Sequence, residues 1–280
     1  MFDFTGKCAV ITGAAGVLCS AFAECLASHG ASVALLDRDK NGAQKVADRI
    51  AADGGKAVAI YADVLDKSVL SAARAEVIAA FGAPDILING AGGNNPRATT
   101  DREYLFPEDL CDSCPDIKTF FDLDPESIGF VFDLNFLGTL LPVQVFAPDM
   151  SGREDACIVN ISSMNAYRPL TKIPAYSAAK SAVSNLTQWL AVHFSKVGIR
   201  VNAIAPGFFV TAQNRSLLFN EDGTPKARTE KILAATPMGR FGKPEELLGT
   251  LLFLCDKSTA SFVNGTVIPV DGGFSAYSGV

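Results

Sequence analysis

The strongest constraint on the fold is a regular alternation of short apolar runs with helical patterns along almost the whole chain. The apolar runs are typical of buried strands. Strands that are joined through helices run parallel, because each crossover covers one face of the sheet before the next strand begins. The sequence therefore predicts an α/β fold, a doubly wound parallel sheet with helices on both faces. The predicted strands are 8–12, 32–36, 57–61, 86–89, 157–161, 200–204 and 266–270.

Length and composition favour one domain. The chain has 280 residues, of which 49% are hydrophobic, enough for one large core, and no repeat or linker divides residues 1–280. Two stretches interrupt the alternation: about 94–124, rich in Pro, Asp and Thr, and about 208–240, which follows Pro206 and Gly207. Long segments at the carboxyl ends of strands lie over the ligand crevice. We therefore expect an insertion beside the site at 94–124 and a substrate lid at 208–240.

Charge and cysteine usage narrow the function classes. The net charge of −6 gives no reason to expect nucleic acid or an anionic membrane as a partner. The chain has no uninterrupted apolar stretch of about 18 residues, and residues 1–7 do not resemble a signal peptide, so a cytoplasmic location is expected. Cys111 and Cys114 have metal or redox spacing, but without a second pair they are interpreted as loop cysteines, and no metal site is expected.

A glycine-rich turn joins the first predicted strand to a predicted helix. Gly13, Gly16 and Cys19 are spaced so that small residues could give a tight turn, an open backbone beside a pyrophosphate and close helix packing, although a third glycine is expected at Cys19. Asp37, which follows the second predicted strand, can accept hydrogen bonds from the adenosine ribose and repel a 2′-phosphate, so NAD is favoured. Arg38 leaves NADP possible, because a guanidinium can hold that phosphate; a solvated charge pair explains Arg38 equally well.

A tyrosine and a lysine lie one helical turn apart further along the chain. Tyr176 and Lys180 share one face of a predicted helix, and a neighbouring ammonium favours the phenolate form of a tyrosine, which makes it a usable acid and base. The pattern is common in helices and means little alone. It gains weight from Ser163, because the end of the preceding strand and the start of this helix can converge.

In combination and in order, these motifs resemble those of the short-chain dehydrogenase/reductase family, over essentially the entire chain. The resemblance implies a single Rossmann-type domain that uses NAD, or NADP, to interconvert an alcohol and a carbonyl. Asp63 with Val64 would face the adenine, and Thr211 would hold the nicotinamide carboxamide. The cofactor-binding residues that it implies are Gly13, Gly16, Val17, Leu18, Asp37, Arg38, Asp63, Val64, Asn89, Ala91, Gly92, Tyr176, Lys180, Pro206, Gly207, Phe209 and Thr211.

The resemblance also implies four catalytic residues. Tyr176 would take the hydroxyl proton in oxidation and return it in reduction, and Lys180 would lower the pKa of Tyr176 and position the ribose. Ser163 would bind the reacting oxygen, and Asn135 would hold a water that relays protons to Lys180. A catalytically silent nucleotide sensor on the same fold is the alternative, since fold does not fix function. The chain departs from the family pattern at Val17 and Cys19, where the family usually has glycine, and in the extra length that precedes Asn135.

The substrate is predicted from polar side chains near the expected pocket. Amides suit a polyhydroxylated ligand and an arginine suits a carboxylate, which together favour a sugar acid, although each residue could equally be solvated surface. Residues 89–100, 132–142, 160–194, 205–215 and 270–280 resemble the D-mannonate oxidoreductase, or fructuronate reductase, branch of the family, with gluconate 5-dehydrogenase or another sugar or polyol dehydrogenase as the alternative. The candidate substrate residues are Asn94, Arg97, Ser163, Asn165, Arg168, Gln213 and Arg215.

The expected assembly is a homotetramer. Members of the family usually form tetramers in which two long helices pair across one interface and the C-terminal region joins another. Residues 175–196 supply a long helix, and residues 267–280 form a tail whose one charged residue is Asp271. An apolar tail of this kind is more stable when it is buried than when it is exposed.

Overall fold

The computed structural model describes residues 2–110, 117–211 and 215–279. Its centre is one sheet of seven parallel strands in the order β3-β2-β1-β4-β5-β6-β7. Every strand lies where the sequence predicts it, with ends that differ by no more than a few residues, so the doubly wound fold is confirmed. The strands are β1 (Cys8–Thr12), β2 (Ser32–Asp37), β3 (Lys56–Tyr61), β4 (Ile86–Asn89), β5 (Cys157–Ile161), β6 (Arg200–Pro206) and β7 (Val267–Val270).

Helices cover both faces of the sheet. Side chains alternate along a strand, and in β1 Ala9 and Ile11 enter one hydrophobic cluster while Cys8 and Val10 enter the other. Helices α1, α2 and α9 pack on the first face, and α3, α5 and α6 pack on the second. The helices are α1 (Val17–Ser28), α2 (Lys40–Ala52), α3 (Lys67–Phe81), α4 (Pro125–Phe132), α5 (Gly138–Met150), α6 (Pro174–His193), α7 (Arg215–Leu218), α8 (Ala227–Ala234), α9 (Leu248–Cys255) and α10 (Lys257–Ala260).

The strand order reverses between β1 and β4, which pair with each other. The chain leaves β1 toward β2 and β3 on one side, and β4 leads to β5, β6 and β7 on the other. Ligands of open α/β sheets bind where connections diverge in this way, beyond the carboxyl ends of the strands. The Thr12 hydroxyl at the end of β1 accepts hydrogen bonds from the amides of Gly90 (3.1 Å) and Ala91 (3.3 Å), which join the two sides of this crevice.

The segment predicted as an insertion closes on itself and meets the other loops of the crevice. At its base Arg97 forms an ion pair with Asp124 (3.2 Å). The Thr100 amide donates to the Lys172 carbonyl (2.9 Å), which attaches the segment to the loop that precedes α6. The ammonium of Lys231, on α8 within the predicted lid, lies 3.0 Å from the Glu103 carboxylate. The assignment of 94–124 as an insertion and of 208–240 as a lid stays a prediction.

One helical stretch, Pro125–Met150, is long and apolar enough to cross a membrane by length and composition. It comprises α4, a π-helical turn at Asp133–Leu137 and α5. Half of its apolar window is buried inside the domain, and Val143, Phe146 and Met150 belong to the cluster under α3 and α6. A core helix of a globular domain passes the same length and composition test, and the packing of this helix is that of a core helix.

Candidate active site

The glycine-rich turn between β1 and α1 leaves backbone amides open for an anion. Gly13 has φ +68°, and a Cβ there would lie 2.9 Å from the backbone of Ala91, so the position requires glycine. Gly16 is the N-cap of α1 and provides no side-chain cap, and the first turn of α1 contains no acidic residue. The positive end of the helix dipole and its free N–H groups are therefore available to a phosphate, beside the exposed Val17 and the half-buried Leu18.

The structure explains the cysteine that stands where a third glycine is expected. Cys19 is buried against Gly90, and a Cβ on Gly90 would come within 2.1 Å of the Cys19 sulfur. The Cys19 side chain fits at this position because the residue that faces it, Gly90, has no side chain. Burial raises the pKa of the Cys19 thiol to about 12, with a further contribution from Asp37, so the group stays neutral.

Three charged side chains gather at the carboxyl ends of β2 and β3. Asp37 accepts hydrogen bonds from the amides of Ala15 (2.9 Å) and Asp39 (2.8 Å), which fixes its carboxylate beside the glycine-rich turn. Asp63 accepts from the amide of Leu65 (3.0 Å) with one oxygen. Its other oxygen lies 3.9 Å from the guanidinium of Arg38. Val64, predicted beside Asp63 at the adenine, is buried.

Asn89 ends β4 within a chain of buried amides. Its Nδ2 donates to Asn160 Oδ1 (2.8 Å), and Asn160 Nδ2 donates to the Thr187 hydroxyl (2.9 Å), which ties β4 to β5 and α6. The Asn89 Oδ1 atom is buried without a protein partner. A buried acceptor without a partner costs about 1–3 kcal/mol, so this oxygen suits a donor on a bound molecule. Asn160 and Thr187 lie in elements whose sequences are typical of an ordinary core, and the sequence analysis did not single them out as site residues.

Asn135 lies on the π-helical turn Asp133–Leu137, a distortion that is frequent at functional sites. Its side chain is fully buried: Nδ2 donates to the carbonyls of Gly93 and Val131 (2.7 Å each), and Oδ1 accepts from the Gly93 amide (3.2 Å). A Cβ on Gly92 would lie 2.7 Å from Asn135 Oδ1 and 3.2 Å from Lys180 Nζ. Gly92 therefore marks the point at which Asn135 and Lys180 approach each other.

Ser163 and Tyr176 converge as the spacing predicts. Ser163 follows β5 and caps a short 3-10 turn, where its hydroxyl accepts the Asn165 amide (3.2 Å). Tyr176 lies in the first turn of α6, and its phenol is within hydrogen-bonding reach of Ser163, a contact that lowers the pKa of Tyr176. Lys180, one turn later, places its ammonium 5.7 Å from the centre of the Tyr176 ring.

Burial shifts the pKa values of both titratable groups. The pKa of Tyr176 is raised above its usual value, because desolvation outweighs the hydrogen bond from Ser163. Burial lowers the pKa of Lys180 to about 8, with a smaller opposing effect of Cys19. The sequence analysis expected Lys180 to lower the pKa of Tyr176. In the structure the ammonium donates to the Ile161 carbonyl (2.8 Å), and desolvation dominates at the tyrosine.

The far side of the predicted cofactor cleft is the end of β6. The Gly207 amide donates to the Val270 carbonyl (2.9 Å), and a Cβ on Gly207 would lie 2.5 Å from Asp271 Cα, so only glycine fits between these segments. Phe209 is buried and its ring packs against Gly242. Thr211 is half-buried at the start of the predicted lid, two residues beyond Phe209.

The candidate substrate residues differ in what they contact. Arg97 is held by Asp124, Asn94 donates to the Thr99 hydroxyl (3.0 Å), and the Arg215 guanidinium lies over the Phe219 ring, 5.6 Å from its centre. Gln213 lies outside the described residues, as do Cys111 and Cys114.

Two other candidates lie on the loop that carries Ser163. Asn165 is buried, and its Oδ1 has no protein partner. Arg168 is exposed near the end of the same loop, and no ion pair of its guanidinium is found in the part of the chain that the structure describes. The sequence analysis did not single out Ser177, next to Tyr176, whose hydroxyl is also buried without a partner. A serine in a helix gives no sequence signal for this.

Comparison with known proteins fixes the family. The model of short chain dehydrogenases matches residues 7–222. The chain belongs to this family. Its members are oxidoreductases, so the predicted enzyme class, an oxidoreductase that acts on CH–OH groups, is confirmed.

Individual relatives match the chain over nearly its full length. UxuB of Bacillus subtilis (strain 168), named an uncharacterized oxidoreductase, is 53% identical over 278 residues, which are 99% of this chain and 98% of that protein. A crystal structure of a Haemophilus influenzae protein with bound NAD, provisionally named a D-mannonate oxidoreductase, is 59% identical, has a TM-score of 0.95 and is matched over 100% of this chain and 98% of its own. Gluconate 5-dehydrogenase of Burkholderia cenocepacia J2315, solved with NADP and tartrate, is 30% identical with a TM-score of 0.81, over 99% of this chain and 98% of that one.

Proposed function

We propose that the protein is an NAD-dependent oxidoreductase that interconverts a secondary alcohol and a ketone on a sugar acid, with D-mannonate and D-fructuronate as the pair. The observation that carries the reaction type is the convergence of Ser163, Tyr176 and Lys180 with Asn135 beside the glycine-rich turn. The substrate rests on the relative with bound NAD that is provisionally named a D-mannonate oxidoreductase.

The residues of the crevice fit a dinucleotide. The uncapped start of α1 suits a pyrophosphate, the Asp37 carboxylate suits ribose hydroxyls, and the unpartnered Asn89 Oδ1 suits a donor. A bound nicotinamide supplies the hydride acceptor in oxidation and the hydride donor in reduction. NAD is favoured over NADP because Asp37 would lie close to a 2′-phosphate, and like charges repel.

The chain itself handles the proton. In oxidation the phenolate of Tyr176 removes the proton from the substrate hydroxyl, while the Ser163 hydroxyl donates a hydrogen bond to the reacting oxygen. In reduction the neutral phenol returns a proton to the oxygen. Lys180 carries the proton onward toward solvent at Nζ, next to Asn135, whose fixed amide would hold the relaying water. The raised pKa of Tyr176 keeps the phenol neutral near pH 7, which favours reduction there.

Arg168 is the preferred partner of the substrate carboxylate. Arg97 is already paired with Asp124, and Arg215 lies against Phe219, whereas Arg168 follows Ser163 on the same loop and remains exposed. A guanidinium can bind a carboxylate through two parallel hydrogen bonds. Asn165, with its buried and unpartnered oxygen, would bind a substrate hydroxyl. A cytoplasmic homotetramer is part of the same proposal, and size-exclusion chromatography tests the assembly.

The test is the change in NADH absorbance with D-fructuronate, 5-ketogluconate and neutral ketoses, each with NADH and with NADPH. Oxidation of NADH with fructuronate supports the proposal, whereas a preference for 5-ketogluconate favours a gluconate 5-dehydrogenase. Tyr176→Phe should abolish turnover and leave cofactor binding unchanged. If this variant turns over normally, the proposed proton transfer is wrong.

The arginine assignment has its own test. Arg168→Ala should raise the KM for acids much more than the KM for neutral ketoses, because only an acid loses its charge partner. Arg97→Ala is the matched control and should change the two KM values alike. An equal effect of Arg168→Ala on acids and neutral ketoses would contradict the role of Arg168.

A further inference from the structure

The charged cluster at the adenosine end of the site contains an ion pair that the proposed reaction does not use. Asp37 and Arg38 follow each other at the end of β2, and the Ala62 amide donates to the Asp37 carbonyl (3.0 Å), which brings the end of β3 alongside. Asp63 then lies one residue further on, and its Oδ2 is 3.9 Å from Arg38 Nη1. The backbone hydrogen bond between Asp37 and Ala62 thus brings the next residue of each strand end, Arg38 and Asp63, close enough to pair.

The partners differ in freedom. Asp63 is fixed, because its Oδ1 accepts the Leu65 amide (3.0 Å) and only 29% of its side chain is exposed. The Arg38 side chain is 65% exposed and can swing about its long stem. The position of the Arg38 guanidinium therefore depends on Asp63 more than the position of Asp63 depends on Arg38. Arg38 is also the cation nearest in sequence to Asp37, whose carboxylate is fixed beside the glycine-rich turn by the Ala15 amide.

We propose that Asp63 determines cofactor specificity by holding Arg38 away from the place where a 2′-phosphate would lie. Asp37 disfavours that phosphate by repulsion, and Asp63 engages the cation that could otherwise compensate. The preference for NAD thus depends on two carboxylates: Asp37 repels the 2′-phosphate, and Asp63 holds the Arg38 guanidinium. The proposal rests on the proposed dinucleotide site and concerns only how that site distinguishes NAD from NADP.

The energy of such a pair sets the size of the effect. An ion pair with one largely exposed partner is worth at most about 1 kcal/mol, which is about fivefold in a binding constant. Removal of the Asp63 charge adds to this, because a carboxylate near a phosphate is itself repulsive. We therefore expect Asp63→Asn, which keeps an oxygen for the Leu65 amide, to lower the ratio of the NADP⁺ to the NAD⁺ dissociation constant by about threefold to tenfold.

The experiment is a double-mutant cycle read by calorimetric binding of NADP⁺ and NAD⁺ at low ionic strength, independent of turnover. The variants are Asp63→Asn, Arg38→Gln and the double variant, and the ratio of dissociation constants cancels any general loss of adenosine contacts. Asp48→Asn, which removes an exposed carboxylate from α2, is the control for net charge. The proposal predicts that Asp63→Asn lowers the ratio more in the presence of Arg38 than in the Arg38→Gln background, where only the loss of direct repulsion by Asp63 remains.

Three outcomes would overturn the proposal. An equal shift in both backgrounds would mean that Asp63 acts by its charge alone and not through Arg38. No shift in either background would leave Asp37 as the sole determinant among the three residues. If the wild-type protein binds neither dinucleotide, the proposed function fails as well, and this result is distinguishable from the other two because it appears before any substitution is made.

Discussion

Lys180 allows a quantitative test of how much a buried charge in the site lowers the stability of the folded protein. Its ammonium is buried, and the one protein acceptor found for it among the described residues is the Ile161 carbonyl. Burial lowers its pKa from 10.5 to about 8, so the unfolded chain binds the proton more tightly than the folded chain does. Keeping the charge buried at pH 7 therefore costs the folded state about 3 kcal/mol. At pH 10, where the buried amine is neutral, the cost is less than about 1 kcal/mol.

The perturbation is Lys180→Met, which keeps the length of the side chain and removes the titration. The difference in free energy of unfolding, variant minus wild type, should fall by about 2–3 kcal/mol between pH 7 and pH 10. The hydrogen bond that the neutral amine makes to Ile161 contributes at both pH values and cancels, and the extra strength of the ammonium hydrogen bond is already contained in the pKa. Urea denaturation of both proteins at the two pH values measures this, with Lys196→Met, at an exposed lysine, as the control. A difference that is the same at pH 7 and pH 10 would refute the reasoning, and the variant should in any case lose oxidoreductase activity.

Two further predictions concern packing and the mouth of the crevice. Gly90→Ala should lower the free energy of unfolding, measured by urea denaturation, by about 1–3 kcal/mol, because its Cβ would overlap the Cys19 sulfur. Adding Cys19→Ala should restore most of this loss. An unchanged free energy of unfolding in the single variant would contradict the packing. Lys231→Met should raise the KM by less than about fivefold at low salt, because it breaks the exposed ion pair with Glu103. The charge swap of Glu103→Lys with Lys231→Glu should restore the KM, and a loss that persists at high salt would exclude an electrostatic origin.

The strands and the helical placement of Tyr176 and Lys180 could be predicted because each leaves a local signal. Buried parallel strands are continuous apolar runs, and the positions of Tyr176 and Lys180 follow from the period of one helix. The π-helical turn at Asn135 leaves no such signal, since its residues are compatible with an ordinary helix. The packing of the Cys19 side chain against Gly90 could not be predicted either, because it depends on a contact between two residues that are far apart in sequence.

Electrostatics was the least predictable part of the site. Lys180 and Tyr176 were identified, but the directions of their pKa shifts depend on burial, which only the folded chain defines. Arg97 was proposed as a carboxylate partner from its type and neighbourhood. In the fold it closes the base of the 94–124 segment through Asp124, a contact that depends on where that segment returns.

The unsatisfied polar atoms of the described chain lie mainly at one edge of the sheet. Four buried side-chain atoms of the described residues lack a hydrogen-bond partner: Asn89 Oδ1, Asp155 Oδ1, Asn165 Oδ1 and Ser177 Oγ. Asp155 Oδ1 belongs to the opposite edge and has the Lys257 ammonium 3.4 Å away. The other three follow β4, follow β5 or adjoin Tyr176, and the buried charge of Lys180 lies among them. Natural proteins satisfy such groups almost everywhere, so a cluster of exceptions marks the place where a ligand, rather than the chain, supplies the partners.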